Sequence, residues 1–136
     1  MKVMNKTILF VDDDADDRDF MAEMVKNLDP PIEAVFVQNG LEAIEYLHHR
    51  KEESDLPCLI VLDLNMPFLD GKETYRRIRH ELHLGDIPVI IFTSSMNPND
   101  QTLFTSQGVE FYTKPDNFSY YRKIVGRIMD VCQGTE

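Results

Sequence analysis

Four short stretches of the chain are almost wholly apolar: Thr7-Ile-Leu-Phe-Val11, Ala34-Val-Phe-Val37, Leu59-Ile-Val-Leu62 and Val89-Ile-Ile-Phe92. A weaker fifth is Glu110-Phe-Tyr-Thr113. Several run on without the alternation of a half-exposed strand, which predicts parallel strands covered by helices on both faces. Helical stripes fill the gaps. Phe20, Met21, Met24, Val25 and Leu28 make the first, stopped by Pro30-Pro31. Leu41, Ile44 and Leu47 make the second, entered through Asn39-Gly40, and Tyr75, Ile78 and Leu82 the third, after Gly71. A weak fourth begins at Pro98, holds Leu103 and Phe104 and stops near Gly108; the clearest, last, runs through Phe118, Tyr121, Val125, Ile128 and Cys132. The polar stretch from Arg50 to Asp55 reads as a solvated connection.

Strand and helix thus alternate five times. Right-handed crossovers then predict a doubly wound α/β domain: a five-stranded parallel sheet of flavodoxin-like (βα)5 type, strand order 2-1-3-4-5. Length agrees, since 136 residues fit one domain, residues 1–136, with a core of its own. Too few residues follow Lys114 for an output domain, and none is expected.

In such sheets ligands bind beyond the carboxyl ends of the strands. The first strand runs into Asp12-Asp13-Asp14, and the third ends at Asp63-Leu-Asn65-Met-Pro67. The fourth ends at Thr93-Ser-Ser95, the fifth at Thr113-Lys114-Pro115. Acids, a hydroxyl and an ammonium should therefore meet on one rim. Clustered carboxylates repel one another unless a divalent cation holds them, and Mg²⁺ favours one or two carboxylates with waters and phosphate oxygens. A carboxylate beside that metal can attack a phosphoryl group and form an aspartyl phosphate. Lys114 would neutralise one phosphoryl oxygen, and Thr93 would donate to another.

The segments Ile8-Leu-Phe-Val-Asp-Asp-Asp14, Leu62-Asp-Leu-Asn-Met-Pro-Phe-Leu-Asp-Gly71, Phe92-Thr-Ser-Ser95 and Tyr112-Thr-Lys-Pro115 resemble the receiver domain of two-component response regulators, across nearly the whole chain and in the same order. The resemblance implies Asp63 as phospho-acceptor and Mg²⁺ as cofactor, held by Asp12, Asp13, Asp63 and the main-chain carbonyl of Asn65. It implies that Thr93 and Lys114 hold the phosphoryl group and that Phe111 is the switch aromatic that moves with Thr93. It also implies a sensor histidine kinase or histidine phosphotransfer protein as donor. A downstream protein, not identified by the sequence, should read the surface of the fourth helix, fifth strand and fifth helix, and the same face could carry a homodimer. The family often has the peptide bond before the proline cis, which the sequence leaves open at Lys114-Pro115.

Other features narrow the field. A net charge of −10 repels nucleic-acid phosphates and anionic lipid, so neither nucleic acid nor membrane is expected as partner. No apolar run is long enough for a signal peptide or a membrane span, which points to the cytoplasm. Cys58 and Cys132 lack metal-site spacing and read as reduced thiols in or near the core. Asp14 or Asp16 should cap the first helix, and Asp70-Gly71 looks like turn chemistry. The histidines, His48, His49, His80 and His83, lie away from the strand ends and suggest no metal or phosphohistidine site. Two other function classes compete. An Mg²⁺ phosphohydrolase of the haloacid dehalogenase type would want an acid at the position of Asn65. A receiver-like module that works without phosphate would be expected to have lost a rim residue, and none is lost.

Overall fold

The computed structural model describes residues 6–28 and 32–134, in an unbroken alternation of five strands and five helices. These are β1 (Thr7–Val11), α1 (Ala15–Lys26), β2 (Glu33–Val37), α2 (Gly40–Glu52), β3 (Leu59–Leu62), α3 (Gly71–His80), β4 (Val89–Thr93), α4 (Pro98–Thr105), β5 (Glu110–Thr113) and α5 (Phe118–Gln133). The strands pair in parallel in the order β2-β1-β3-β4-β5, as the alternation predicts. Among the described residues no helix is long and apolar enough to cross a membrane.

The continuous apolar character of the strands has a direct cause. Successive side chains of a strand point to opposite faces, and here each face carries its own core. Leu9, Val11, Ile60, Leu62 and Ile91 pack with Ala43 and Leu47 of α2, Ile78 of α3 and Phe104 of α4. Ile8, Phe10, Leu59, Val61, Ile90 and Phe92 pack with Met21 and Val25 of α1 and with Tyr121, Ile124, Val125 and Ile128 of α5. Every helix begins on an Asp or Asn whose side chain accepts a backbone N–H of the first turn: Asp14, Asn39, Asp70, Asn97 and Asn117. Such a cap satisfies a donor that the helix itself cannot pair. Of the two candidates at the first helix Asp14 is the cap, and Asp70 does more than turn the chain.

Some local expectations need correction. Leu41 is not part of the buried stripe of α2; it is half exposed, and Ala43 takes its place in the core. Leu82 packs against the core from beyond the end of α3. The stretch from Arg50 is half helical, because α2 continues to Glu52, and Arg50 pairs with Asp55 at 3.1 Å. The Pro30-Pro31 stop and the side chain of Phe118 lie outside the described residues.

The cysteines are not free thiols. Cys58, just before β3, and Cys132, in the last turn of α5, form a disulfide with Cα atoms 5.0 Å apart. Their separation of 74 residues gave no local sign of pairing; only the packing of α5 across β3 brings them together. Such a crosslink is uncommon in a reducing cytosol. It removes entropy from the unfolded chain, so reduction should destabilise the domain by about 2–4 kcal/mol. The expected result is a thermal midpoint about 10 °C lower with reductant than without; equal midpoints would show that the crosslink contributes nothing.

Candidate functional site

Strand register sets the site. In the parallel pairing Val11 lies beside Leu62 and Leu62 beside Ile91. The residues that follow, Asp12 and Asp13 after β1 and Asp63 after β3, therefore leave the sheet at adjacent points of one edge. Thr93 ends β4 and pairs with Thr113 of β5, immediately before Lys114. Thus the topology, rather than any local motif, gathers these groups.

Asp63 is 4% exposed, and its Oδ1 accepts the N–H of Leu64 at 2.8 Å, which fixes the rotation of the carboxylate. Carboxylate oxygens of Asp12, Asp13 and Asp63 all lie within 4.8 Å of one another. Lys114 Nζ donates to Asp12 Oδ2 at 2.7 Å and to Asp63 Oδ2 at 3.4 Å. Burial pushes the Asp12 carboxyl up to about 6, against the opposing pull of Lys114 and of the Asp14 N–H. Burial also pulls the Lys114 ammonium down, but its bonds to Asp12 and Asp17 and the charge of Asp63 prevail and hold it above its ordinary value. A buried acid and a buried base are thus held against one another in the cleft.

That donor set suits a divalent cation. Oxygens around a Mg²⁺ ion with ~2.1 Å bonds stand about 3–4 Å apart, and the three carboxylates need only small rotations to meet that spacing. They offer hard oxygen ligands and excess negative charge, both of which such an ion requires.

The remaining expected residues are distributed around this cleft. Thr93 is fully buried, and its Oγ1 accepts the N–H of Ser95 at 3.2 Å. Asn65 lines the open mouth of the cleft with Asp13, Lys72 and Asp100. Phe111 sits on β5, partly buried, with its ring 6.3 Å from that of Phe104 on α4. It is packed into the core on the side where α4 lies.

Sequence reasoning passed over several neighbours. Asp17, in the first turn of α1, accepts from Lys114 Nζ at 2.7 Å and so shares the ammonium with Asp12. Arg18 Nη1 donates to the carbonyl of Asp12 at 2.9 Å and ties the end of β1 to α1. The role of Asp17 depends on where the end of β5 places Lys114, and that of Arg18 on how α1 folds back over the end of β1. Asp100 and Lys72 likewise meet only in the folded chain, where α3 and α4 bring them together.

Fold and cleft together define a flavodoxin-like α/β domain with an acidic, lysine-bearing cleft at the carboxyl edge of its sheet. Residues 8–125 match the response regulator receiver domain family. The chain is 34% identical over 123 residues to response regulator Rcp1 of Synechocystis sp., spanning 88% of this chain and 84% of that protein. The crystal structure of the phosphorylated cyanobacterial phytochrome response regulator RcpA matches with a TM-score of 0.82 at 33% identity, over 93% of this chain and 92% of that one. The Mn²⁺-bound form of response regulator Rcp1 matches with a TM-score of 0.80 at 33% identity, over 92% of each chain. This chain belongs to the response regulator receiver domain family and so to two-component signalling.

Proposed function

We propose that this receiver domain accepts a phosphoryl group on Asp63 from a phosphohistidine of a sensor histidine kinase or phosphotransfer protein. The observation that carries the reading is the setting of Asp63: a buried carboxylate, held by one N–H, facing Lys114 and within reach of Asp12 and Asp13. An Asp63 oxygen would form the new O–P bond while the P–N bond of the donor breaks and the imidazole leaves with its electron pair. Lys114 and the Thr93 hydroxyl would hold phosphoryl oxygens in the product. Asp12, Asp13, Asp63 and the carbonyl of Asn65 would hold Mg²⁺. When bound, the ion would supply positive charge between acceptor and phosphoryl oxygens, lowering their mutual repulsion.

Residues 1–136 would act as one such unit, reset by slow hydrolysis rather than by turnover of outside substrates. Its output would be a protein contact or onward phosphotransfer through the face of α4, β5 and α5. The Phe104–Phe111 packing supports that choice, since it couples β5 to α4. The Mn²⁺-bound and phosphorylated forms of its relatives support both the ion and the modification.

The test is intact-mass spectrometry after incubation with a small phosphoryl donor. One added phosphoryl group, dependent on Mg²⁺ and absent from Asp63→Asn, is the expected result. If wild type and variant gain the group equally, Asp63 is not the acceptor. Failure with several donors, despite measured Mg²⁺ binding, would favour a module that works without phosphate.

A further inference from the structure

Among the described residues two carboxylates are buried, Asp63 and Asp100. The first belongs to the carboxylate cluster of the cleft; the second stands at the mouth of the cleft, outside that cluster. Asp100 lies in the first turn of α4, where an acid is usually explained by the unpaired N–H groups of the helix. Here Asn97 is the cap, accepting the N–H of Asn99 at 3.0 Å. The Asp100 carboxylate instead turns to two other segments. Its Oδ2 accepts the hydroxyl of Ser95, on the β4–α4 loop, at 2.6 Å. Its Oδ1 meets Lys72 Nζ, from the first turn of α3, at 2.6 Å.

These bonds reach the end of β4. Ser95 also gives its N–H to Thr93 Oγ1 at 3.2 Å, and its own Oγ accepts the N–H of Asn97 at 3.3 Å. One continuous chain therefore runs from Thr93 through Ser95 and Asp100 to Lys72. At its far end Lys72, half exposed, stands on a helix whose first residue, Gly71, donates its N–H to the carbonyl of Leu64 at 2.9 Å. Burying a carboxylate is costly unless it is paired and hydrogen-bonded. Asp100 is hydrogen-bonded to Ser95 through Oδ2 and ion-paired with Lys72 through Oδ1, so loss of either partner leaves a buried charge poorly compensated. Any movement of the Thr93 hydroxyl toward a group on Asp63 would pull on a loop that Asp100 ties to α4 and α3.

We propose that Lys72, Asp100 and Ser95 form a latch that holds the β4–α4 loop, and with it Thr93, in the unphosphorylated position. Asp100 is then a positioning residue: the loop exchanges its bond to Asp100 for the bond between Thr93 and the phosphoryl group. This inference rests on the reading of Asp63 as acceptor. The latch sets how readily the switch is thrown, without touching the reacting atoms.

Beryllium trifluoride with Mg²⁺, a stable mimic of an aspartyl phosphate, provides the probe. Its affinity would be measured by calorimetry for wild type, Ser95→Ala, Asp100→Ala and the double variant, with amide NMR of residues 94–97 reporting loop position. Each single variant should bind the mimic about tenfold more tightly, the size expected when one hydrogen bond to a carboxylate is lost from the free state alone. The double variant should gain no more than either single one, because both break the same link. A purely structural Asp100 would instead lower the thermal midpoint and leave affinity unchanged or weaker, and that result overturns the latch. Ser95→Ala removes one hydroxyl at a partly exposed site, so it decides the matter even if Asp100→Ala does not fold. Should wild type itself fail to bind the mimic, the acceptor reading falls and the latch with it; tight wild-type binding with no gain in the variants removes only the latch.

Discussion

Lys114→Met should slow phosphoryl acceptance from a small donor by about 100-fold, the usual loss when one charge-stabilising donor is removed from a phosphoryl or oxyanion site. The same change should tighten divalent-cation binding by about tenfold. Both effects have one origin. The ammonium stands 2.7 Å from Asp12 and 3.4 Å from Asp63, so it occupies the negative charge that a cation would use. Removing it leaves the carboxylates crowded and unpaired, which raises their appetite for Mg²⁺ and lowers the stability of the metal-free protein. Rates would be followed by intact mass at saturating Mg²⁺, and cation affinity by calorimetry. A variant that accepts phosphate at the wild-type rate would remove Lys114 from the chemistry. Weaker cation binding would show instead that the lysine organises the carboxylates rather than competing for them.

Gly71→Ala is expected to cost about 3 kcal/mol or more of stability, a drop of about 10 °C in thermal midpoint. The reason is a close backbone approach. A Cβ at this position would stand 2.2 Å from the carbonyl oxygen of Asp63 and 2.6 Å from the Cα of Leu64. Neither atom can move without shifting the end of β3, and the Gly71 N–H already donates to the carbonyl of Leu64 at 2.9 Å. The start of α3 is thus pressed against the end of β3, and a methyl group between them would displace Asp63 itself. Gly126 provides the contrast. It lies within α5 with nothing inside 4 Å of an added Cβ, so Gly126→Ala should stabilise the helix by about 0.5–1 kcal/mol. Thermal unfolding of both variants checks the pair, and similar midpoints for the two would refute the close-approach argument.

The latch and the lysine cleft bear on one another through the β4–α4 loop. Thr93 stands between them, fully buried and engaged by Ser95 on the same short loop. Phe111 lies against Phe104 of α4, so a loop that leaves Asp100 would also change the packing that Phe111 meets. On the proposed reading a phosphoryl group on Asp63 would compete with Asp100 for the loop, and the outcome would reach Phe111 through α4.

The apolar runs by themselves determined the number and order of the strands, and with them the sheet. Each run is short, flanked by helical stripes and rich in residues that suit a strand buried on both faces, so few other arrangements could satisfy it. The acids, hydroxyl and lysine at the ends of those runs were equally legible, because strand ends are where such a sheet exposes its chain. Helix periodicity proved less exact. Leu41 has the spacing of a core residue yet faces solvent, because which side of α2 is buried depends on the sheet beneath it.

Tertiary structure alone decided the rest. Asp17 differs in no local way from Asp16, but only Asp17 is turned toward Lys114, 97 residues away along the chain. Cys58 and Cys132 meet because α5 crosses the sheet beside β3. Asp100 reads as an ordinary first-turn acid until α3 brings Lys72 to it. Sequence pattern governs what each segment must bury. Which distant partner a polar side chain then finds is a matter of packing geometry, and a linear pattern holds no record of that.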